Sequence, residues 1–253
     1  MRTVGSWLLC GGTSLLSLLV IGVGNAGVAF TPNSIAGLVG WYDANALSGY
    51  VNGDSVSSWT DISGGRTAVN SSVGEQPAYV TGAQNGRPVV RFDGTSDRLQ
   101  ATSFQDAFVG TTSATVFVAF AVGPGASSDT EYSVLDFGAN DGFYRFAGDG
   151  AGYLSDFRTA RITAEPIGQP TSGSHYMTIR TGSSGYEVYR NSSLVESTGA
   201  SWGIGANLTI GDNPVSAGVD FAGDVFEVIY YNSQLSTSQI QQVGDYLVDK
   251  WGL

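Results

Sequence analysis

The chain has 253 residues, 36 of them glycine, with 11% aromatic and 13% charged, about half the charged share of an ordinary domain; this suits a turn-rich β protein and not a helical bundle. A net charge of −11 disfavours DNA or RNA as partner, because binding a phosphate backbone needs Lys and Arg to displace counterions. One cysteine, Cys10, and one histidine, His175, exclude an internal disulfide and a Cys/His zinc site, and a Ser-His-Asp hydrolase would rest wholly on a histidine that reads as a polar residue where a strand starts.

Residues 1–29 form an apolar, Gly-rich segment whose only charged side chain is Arg2. Two readings stand. Cleavage after Ala26 or Ala29 would fit an export signal, whereas a retained arm would dock on a larger assembly; the arm is slightly favoured. Leu9 before Cys10 is too large for a lipoprotein signal, and Gly11, Gly12, Gly22, Gly24, Gly27 and Asn25 loosen a spanning helix, so no membrane span is expected.

Residues 30–253 read as one domain of strands separated by Gly, Asn, Asp, Ser and Pro clusters. In chain order the strand segments are GLVGWYDA, RPVVRFDG, ATVFVAFAV, YSVLDFG, GFYRFAG, YMTIRTG, YEVYRNSSLVES, NLTIGD and DVFEVIYYN. Val90 and Phe92 share one face while Val89 and Arg91 share the other, and Asp93-Gly94 supplies the turn. Asp93 and Asp97 are expected to accept backbone N–H bonds there, with Arg91 ion-paired across the sheet. ATVFVAFAV is apolar on both faces, which predicts a central strand covered on both sides. Trp59 is expected in the core, and YEVYRNSSLVES turns at Asn191 to Ser193 as a hairpin. The last segment differs: Ser236 and Gln239 have capping-box spacing, Ile240, Val243, Leu247 and Trp251 recur at helical intervals, and Gly252 stops the helix. Antiparallel strands in this number close best as two packed sheets.

Taken together, WYDA, VSSWTDISG, QPAYV, NGRPVVRFDGTSDRL and the terminal FAGDVFEVIYYNSQLSTSQIQQVGDYLVDKWGL resemble the LamG-like branch of the concanavalin A-like lectin/glucanase superfamily over about residues 30–253. The resemblance implies an all-β jelly-roll sandwich of two antiparallel sheets with a short C-terminal helix, a fold that carries lectins, glycoside hydrolases and structural modules. The Gly-rich start followed by FTPNSIAGLVGWYDA is similar to bacteriophage proteins of this type.

Glucanases of that superfamily carry a Glu-x-Asp-x-Glu or Glu-x-Asp-x-x-Glu strand, since alternate positions share a groove and a retaining mechanism needs carboxyls roughly 5–5.5 Å apart. The six glutamates here, Glu75, Glu131, Glu165, Glu187, Glu196 and Glu227, are all more than five residues apart. Asp224 and Glu227 would face opposite sides of an uninterrupted strand, so no enzyme is expected. Lectin-like candidates are Asn140, Asp141 and Tyr144 in GANDGFYRF, Trp202 in GASWGIGAN, and Asp212, Asn213 and Asp220 in IGDNPVSAGVDF. Oxygen ligands in these loops admit calcium as the one candidate cofactor, although none has EF-hand spacing. Asn70, Asn191 and Asn207 begin N-x-Ser/Thr sequons. The resulting expectation is a non-catalytic module on a virion surface, attached to capsid or tail proteins through its N-terminal arm and touching host polysaccharide through its loops. The alternative is an exported, extracellular bacterial carbohydrate-binding protein, with a glycoside hydrolase third.

Overall fold

The computed structural model describes residues 30–123, 132–137, 173–199, 207–212, 218 and 220–253, together with the backbone path of 142–147 and 153–155. The expected arm, residues 1–29, lies outside them. Among the described residues no helix is long and apolar enough to cross a membrane.

Among the described residues fifteen strands and one α-helix follow in chain order, besides four short 3₁₀ turns: β1 (Leu38–Asp43), β2 (Ser58–Thr60), β3 (Thr67–Val69), β4 (Ala78–Gln84), β5 (Arg87–Asp93), β6 (Leu99–Ala101), β7 (Ala114–Val122), β8 (Tyr132–Asp136), β9 (Gly142–Ala147), β10 (Tyr153–Ser155), β11 (Ser174–Gly182), β12 (Gly185–Arg190), β13 (Ser193–Thr198), β14 (Leu208–Ile210), β15 (Ala222–Tyr231) and α1 (Thr237–Trp251). The first sheet runs β13-β12-β11-β7-β15-β5-β4, with β1 also paired to β15; the second runs β10-β9-β8-β14-β6-β3-β2. Every pairing among these strands is antiparallel, which gives the all-β sandwich of two sheets that the strand count requires.

Strand β7 is the spine. Val116, Val118 and Phe120 register with Ile179, Met177 and His175 of β11 on the face toward the second sheet, while Phe117 and Ala119 register with Ile229 and Glu227 of β15 on the opposite face. Apart from half-buried His175 these side chains are buried, because one face of β7 meets the other sheet and the other lies under the helix side of the sandwich. His175 is thus in an interior strand, its ring 6.3 Å from that of Phe120. Trp59 is fully buried and meets Tyr42 edge-on at 6.0 Å.

Strand β15 is bonded to different partners along one edge: Ala222–Val225 pair with β5, and Glu227–Tyr231 pair with β1. Where the partner changes, the register against β7 slips between Val225 and Glu227, leaving Phe226 as the extra residue of a β-bulge. That slip decides what the outer face of the first sheet carries.

Helix α1 packs on this outer face. Its capping box is complete: Ser236 accepts from the Gln239 N–H, and Gln239 accepts from the Ser236 N–H. Ile240, Val243, Leu247 and Trp251 are buried on its inner side, each side chain contributing roughly 1.5–3 kcal/mol. Gly252 ends it in the left-handed conformation at φ 68°. The last carbonyls, which a helix leaves unpaired, are capped by the β4–β5 hairpin: Gln84 Nε2 donates to Trp251 O at 2.7 Å, and Asn85 Nδ2 and Arg87 Nε donate to Lys250 O at 3.0 and 2.8 Å. NGRPVVRF therefore holds a helix end as well as framing a strand.

Candidate functional site

On an uninterrupted strand Asp224 and Glu227, three residues apart, point to opposite faces. The bulge at Phe226 corrects that expectation. Asp224 registers with Ala121 and Glu227 with Ala119, two positions apart on β7, so both acids stand on the outer face. There Asp224 takes two bonds from Arg91, at 2.6 and 2.8 Å, which is the ion pair across the sheet expected of Arg91.

Glu227 lies directly opposite Asp43 of β1 and is fully buried. A buried carboxylate must be paired and fully hydrogen-bonded. Its Oε1 accepts from the Trp41 indole and from Tyr246 Oη (2.8 Å); its Oε2 accepts from Lys250 Nζ (2.8 Å) and Trp251 Nε1 (2.6 Å). Lys250 also contacts Asp43 Oδ2 at 2.8 Å and donates to Tyr246 Oη at 2.9 Å. The same ammonium lies 5.0 Å from the Trp251 ring centroid, 5.3 Å from Tyr246 and 6.0 Å from Trp41. Burial pushes the Glu227 carboxyl up, with the Lys250 charge opposing it. The Tyr246 phenol is raised too, first by burial and then by the Glu227 charge. Asp43 and Glu227 each lie 2.8 Å from one nitrogen, so their nearest oxygens are separated by no more than twice that length.

Tyr246 and Lys250 line an open groove of about 700 Å³ between α1 and the start of the domain. Its walls are Phe30, Thr31, Arg87, Gln242, Asp245 and Asp249. Phe30 meets Tyr246 edge-on at 6.2 Å, so the groove offers aromatic surface beside an amide, a guanidinium and two carboxylates. Two smaller hollows of about 420 and 430 Å³ lie against the second sheet, one lined by Asn70, Arg98 and Gln100, the other by Tyr50, Ser58 and Thr60.

Of the loop candidates, Asn140, Asp141, Trp202 and Asn213 fall outside the described residues, and Tyr144 lies in β9, where only the backbone is described. Asp212 is buried, 3.7 Å from Arg98, which also binds Glu75 at 2.6 Å. Asp220 is half-buried, its carboxyl raised by burial and by the charge of Asp93. Asp93 and Asp97 serve the turn as expected: Asp93 Oδ1 accepts from the N–H groups of Thr95, Ser96 and Asp97, and Asp97 Oδ2 from that of Asp93. Among the described residues there is no group of three or more His, Cys, Asp or Glu side chains that could hold a metal ion.

The groove escaped the sequence reading because its parts come from residues 30–31, the β4–β5 hairpin and α1, which only the fold brings together. One signal was available: Glu227 is a lone charge inside the apolar run VFEVIYY, and a charge in a strand covered on both faces requires a buried counter-charge.

No protein-family model and no curated protein matches the chain. Solved structures do. A Trypanosoma rangeli sialidase in complex with 2,3-difluorosialic acid matches over 85% of this chain and 33% of its own, with 15% identity and a TM-score of 0.62. Domain 4 of AbnA, a GH43 extracellular arabinanase from Geobacillus stearothermophilus, in complex with arabinotriose, matches over 82% of this chain and 98% of its own, with 15% identity and a TM-score of 0.52. This chain thus spans about a third of the sialidase but nearly the whole arabinanase domain. At such identity the matches establish the sandwich fold. They also correct the expectation that the chain is no enzyme: the same fold occurs within a sialidase and an arabinanase, so a missing Glu-x-Asp-x-Glu strand does not separate this chain from enzymes.

Proposed function

We propose that this chain is a carbohydrate-binding β-sandwich of the LamG-like type that takes a sugar in the groove beside α1. The observation that carries the reading is the groove itself: aromatic surface from Phe30 and Tyr246 stands beside Gln242, Arg87, Asp245 and Asp249, the combination that packs against a sugar ring while bonding its hydroxyls. The arabinanase domain supports it, being a unit of matching extent seen with an oligosaccharide. The virion placement has no support among the matched structures. A glycan array probed with the labelled full chain tests the proposal. Reproducible binding to at least one oligosaccharide class is expected; silence across the array would overturn it.

A second reading is glycoside hydrolysis, favoured by the Asp43–Glu227 pair, two carboxylates that share the Lys250 ammonium and so stand close enough together to act as a pair. Against it, all four bonding directions of Glu227 are occupied. Release of reducing ends from arabinan, laminarin or agar by the wild type but not by a Glu227→Gln variant would establish it, and no release from any of them would remove it.

A further inference from the structure

Lys250 is the chain's only lysine; every other basic residue is arginine. The ion pairs Arg91–Asp224, Arg98–Glu75 and Arg180–Glu187 each leave at least one partner partly exposed, whereas the side chains of Lys250, Asp43 and Glu227 are 11%, 9% and 0% exposed. For a buried ion pair alone arginine is the better cation, being weakly hydrated and never deprotonated. An amine offers something else, a nucleophilic lone pair once it gives up a proton.

The surroundings of Lys250 suit such an attack. Its Nζ lies 2.8 Å from Asp43 Oδ2, which puts the Asp43 carboxyl carbon no more than one C–O bond further away. The other oxygen, Asp43 Oδ1, accepts from the Asn45 backbone N–H at 2.9 Å, a donor placed to steady negative charge that grows on it. Glu227 Oε2 also lies 2.8 Å from Nζ, and Glu227 faces Asp43 directly across the β1–β15 ladder. Burial raises the Glu227 carboxyl, against the opposing charge of Lys250, and a raised carboxyl holds a transferred proton more firmly. The rings of Trp251, Tyr246 and Trp41, centred 5.0, 5.3 and 6.0 Å from Nζ, surround the amine with apolar surface, and a site that excludes water favours condensation over hydrolysis. Groups held in contact this way react at effective concentrations of roughly 10⁵–10⁸ M.

We propose that Lys250 Nζ and the Asp43 side chain join in an amide bond, with Glu227 as the catalytic proton carrier. The ammonium passes one proton to Asp43 Oδ2, leaving an amine and a carboxylic acid. The lone pair of the amine then forms the N–C bond at Asp43 Cγ. Glu227 takes a second proton from the nitrogen and returns it to the departing hydroxyl, which leaves as water with the electron pair of the broken C–O bond. One ammonium and one carboxylate become one secondary amide and one water, and Glu227 ends as it began, still accepting from the N–H that remains. The bond ties β1, near the start of the domain, to the last turn of α1 at its end. It does not depend on a sugar in the groove, and by consuming the Asp43 carboxylate it excludes the hydrolytic reading.

Mass spectrometry of the full chain, folded and then denatured and digested, tests it. Chymotrypsin should yield from the wild type a peptide pair joined through Asp43 and Lys250 and lighter by one water than its two parts, and trypsin should fail to release residues 251–253. Glu227→Gln should cut the linked share at least tenfold in a chain whose circular dichroism matches the wild type, and Lys250→Arg should show no link. A wild-type chain that releases residues 251–253 in full and gives no joined pair overturns the proposal, whether or not either variant folds. A link that forms as fully in Glu227→Gln as in the wild type overturns the part given to Glu227.

Discussion

Replacing Glu227 with Gln tests the helix clamp most sharply, because volume is nearly unchanged while charge and half the acceptor capacity disappear. The wild-type carboxylate receives two indole N–H groups, one phenol and one ammonium. In its better orientation the amide keeps its oxygen toward Lys250 and Trp251 and turns its NH₂ toward Tyr246, which can reverse to accept, and Trp41, which cannot. One indole N–H is then orphaned, at roughly 1–3 kcal/mol, and the Lys250 pair loses one of its two carboxylates, although Asp43 remains at 2.8 Å. A loss of about 2–4 kcal/mol follows, or about 1–2 M in the urea midpoint at an ordinary slope. Urea unfolding of the full chain, followed by tryptophan fluorescence, measures it, since Trp41 and Trp251 both contact Glu227. Adding Lys250→Met to Glu227→Gln should deepen the loss, because buried Asp43 would then be left without its counter-charge. A Glu227→Gln midpoint within experimental error of the wild type would refute the reasoning, and the buried cluster would then contribute nothing to holding α1 on the sheet.

Gly244→Ala ought to stabilise an isolated helix, yet here the new Cβ would lie 2.4 Å from Tyr176 Oη and 2.6 Å from Ser192 Oγ, so a net loss of about 1–3 kcal/mol is expected in thermal unfolding. Tyr176→Phe in the same chain should relieve only part of that loss, since Ser192 Oγ at 2.6 Å and Tyr176 Cζ at 3.0 Å remain, and a Gly244→Ala variant as stable as the wild type would show that the helix does not approach β11 this closely. Asp97 supplies a pH dependence: burial, then the charge of Asp93, raises its carboxyl from 3.8 to about 6. The folded state therefore holds this proton more tightly than the unfolded state, and the associated stability is fully present below pH 3.8 and is lost as pH rises through about 6. Asp97→Asn should remove that slope from a series of urea midpoints between pH 4 and 7; an unchanged slope would contradict it. Asp93 acts oppositely, because although burial alone would raise it, bonds from Thr95, Ser96 and Asp97 hold it below 3.8, and its contribution fades only at lower pH.

The features legible in the sequence were those set by local spacing. ATVFVAFAV is β7 to the residue, and the Ser236–Gln239 box and Gly252 bound α1 as their chemistry requires. Strands β2, β3 and β6 hold three residues each, too few for a period-two pattern to show, and they exist because neighbouring strands supply the ladder. The bulge at Phe226 was the costlier omission. Nothing in DVFEVIYYN marks it, since it arises where β15 changes partner from β5 to β1, and one extra residue moved Glu227 to the other face. The groove was likewise invisible as a unit, although Arg87, Tyr246 and Lys250 each sit on an element that the pattern located.

The central claim is that the groove beside α1 holds a sugar. Its most direct test is to titrate the strongest ligand from the glycan array into the wild type and into a Gln242→Ala/Asp249→Ala double variant, both positions being exposed on α1. The account predicts at least a tenfold weaker affinity in the variant with an unchanged unfolding midpoint. Equal affinity in the two proteins would place the sugar elsewhere and contradict it.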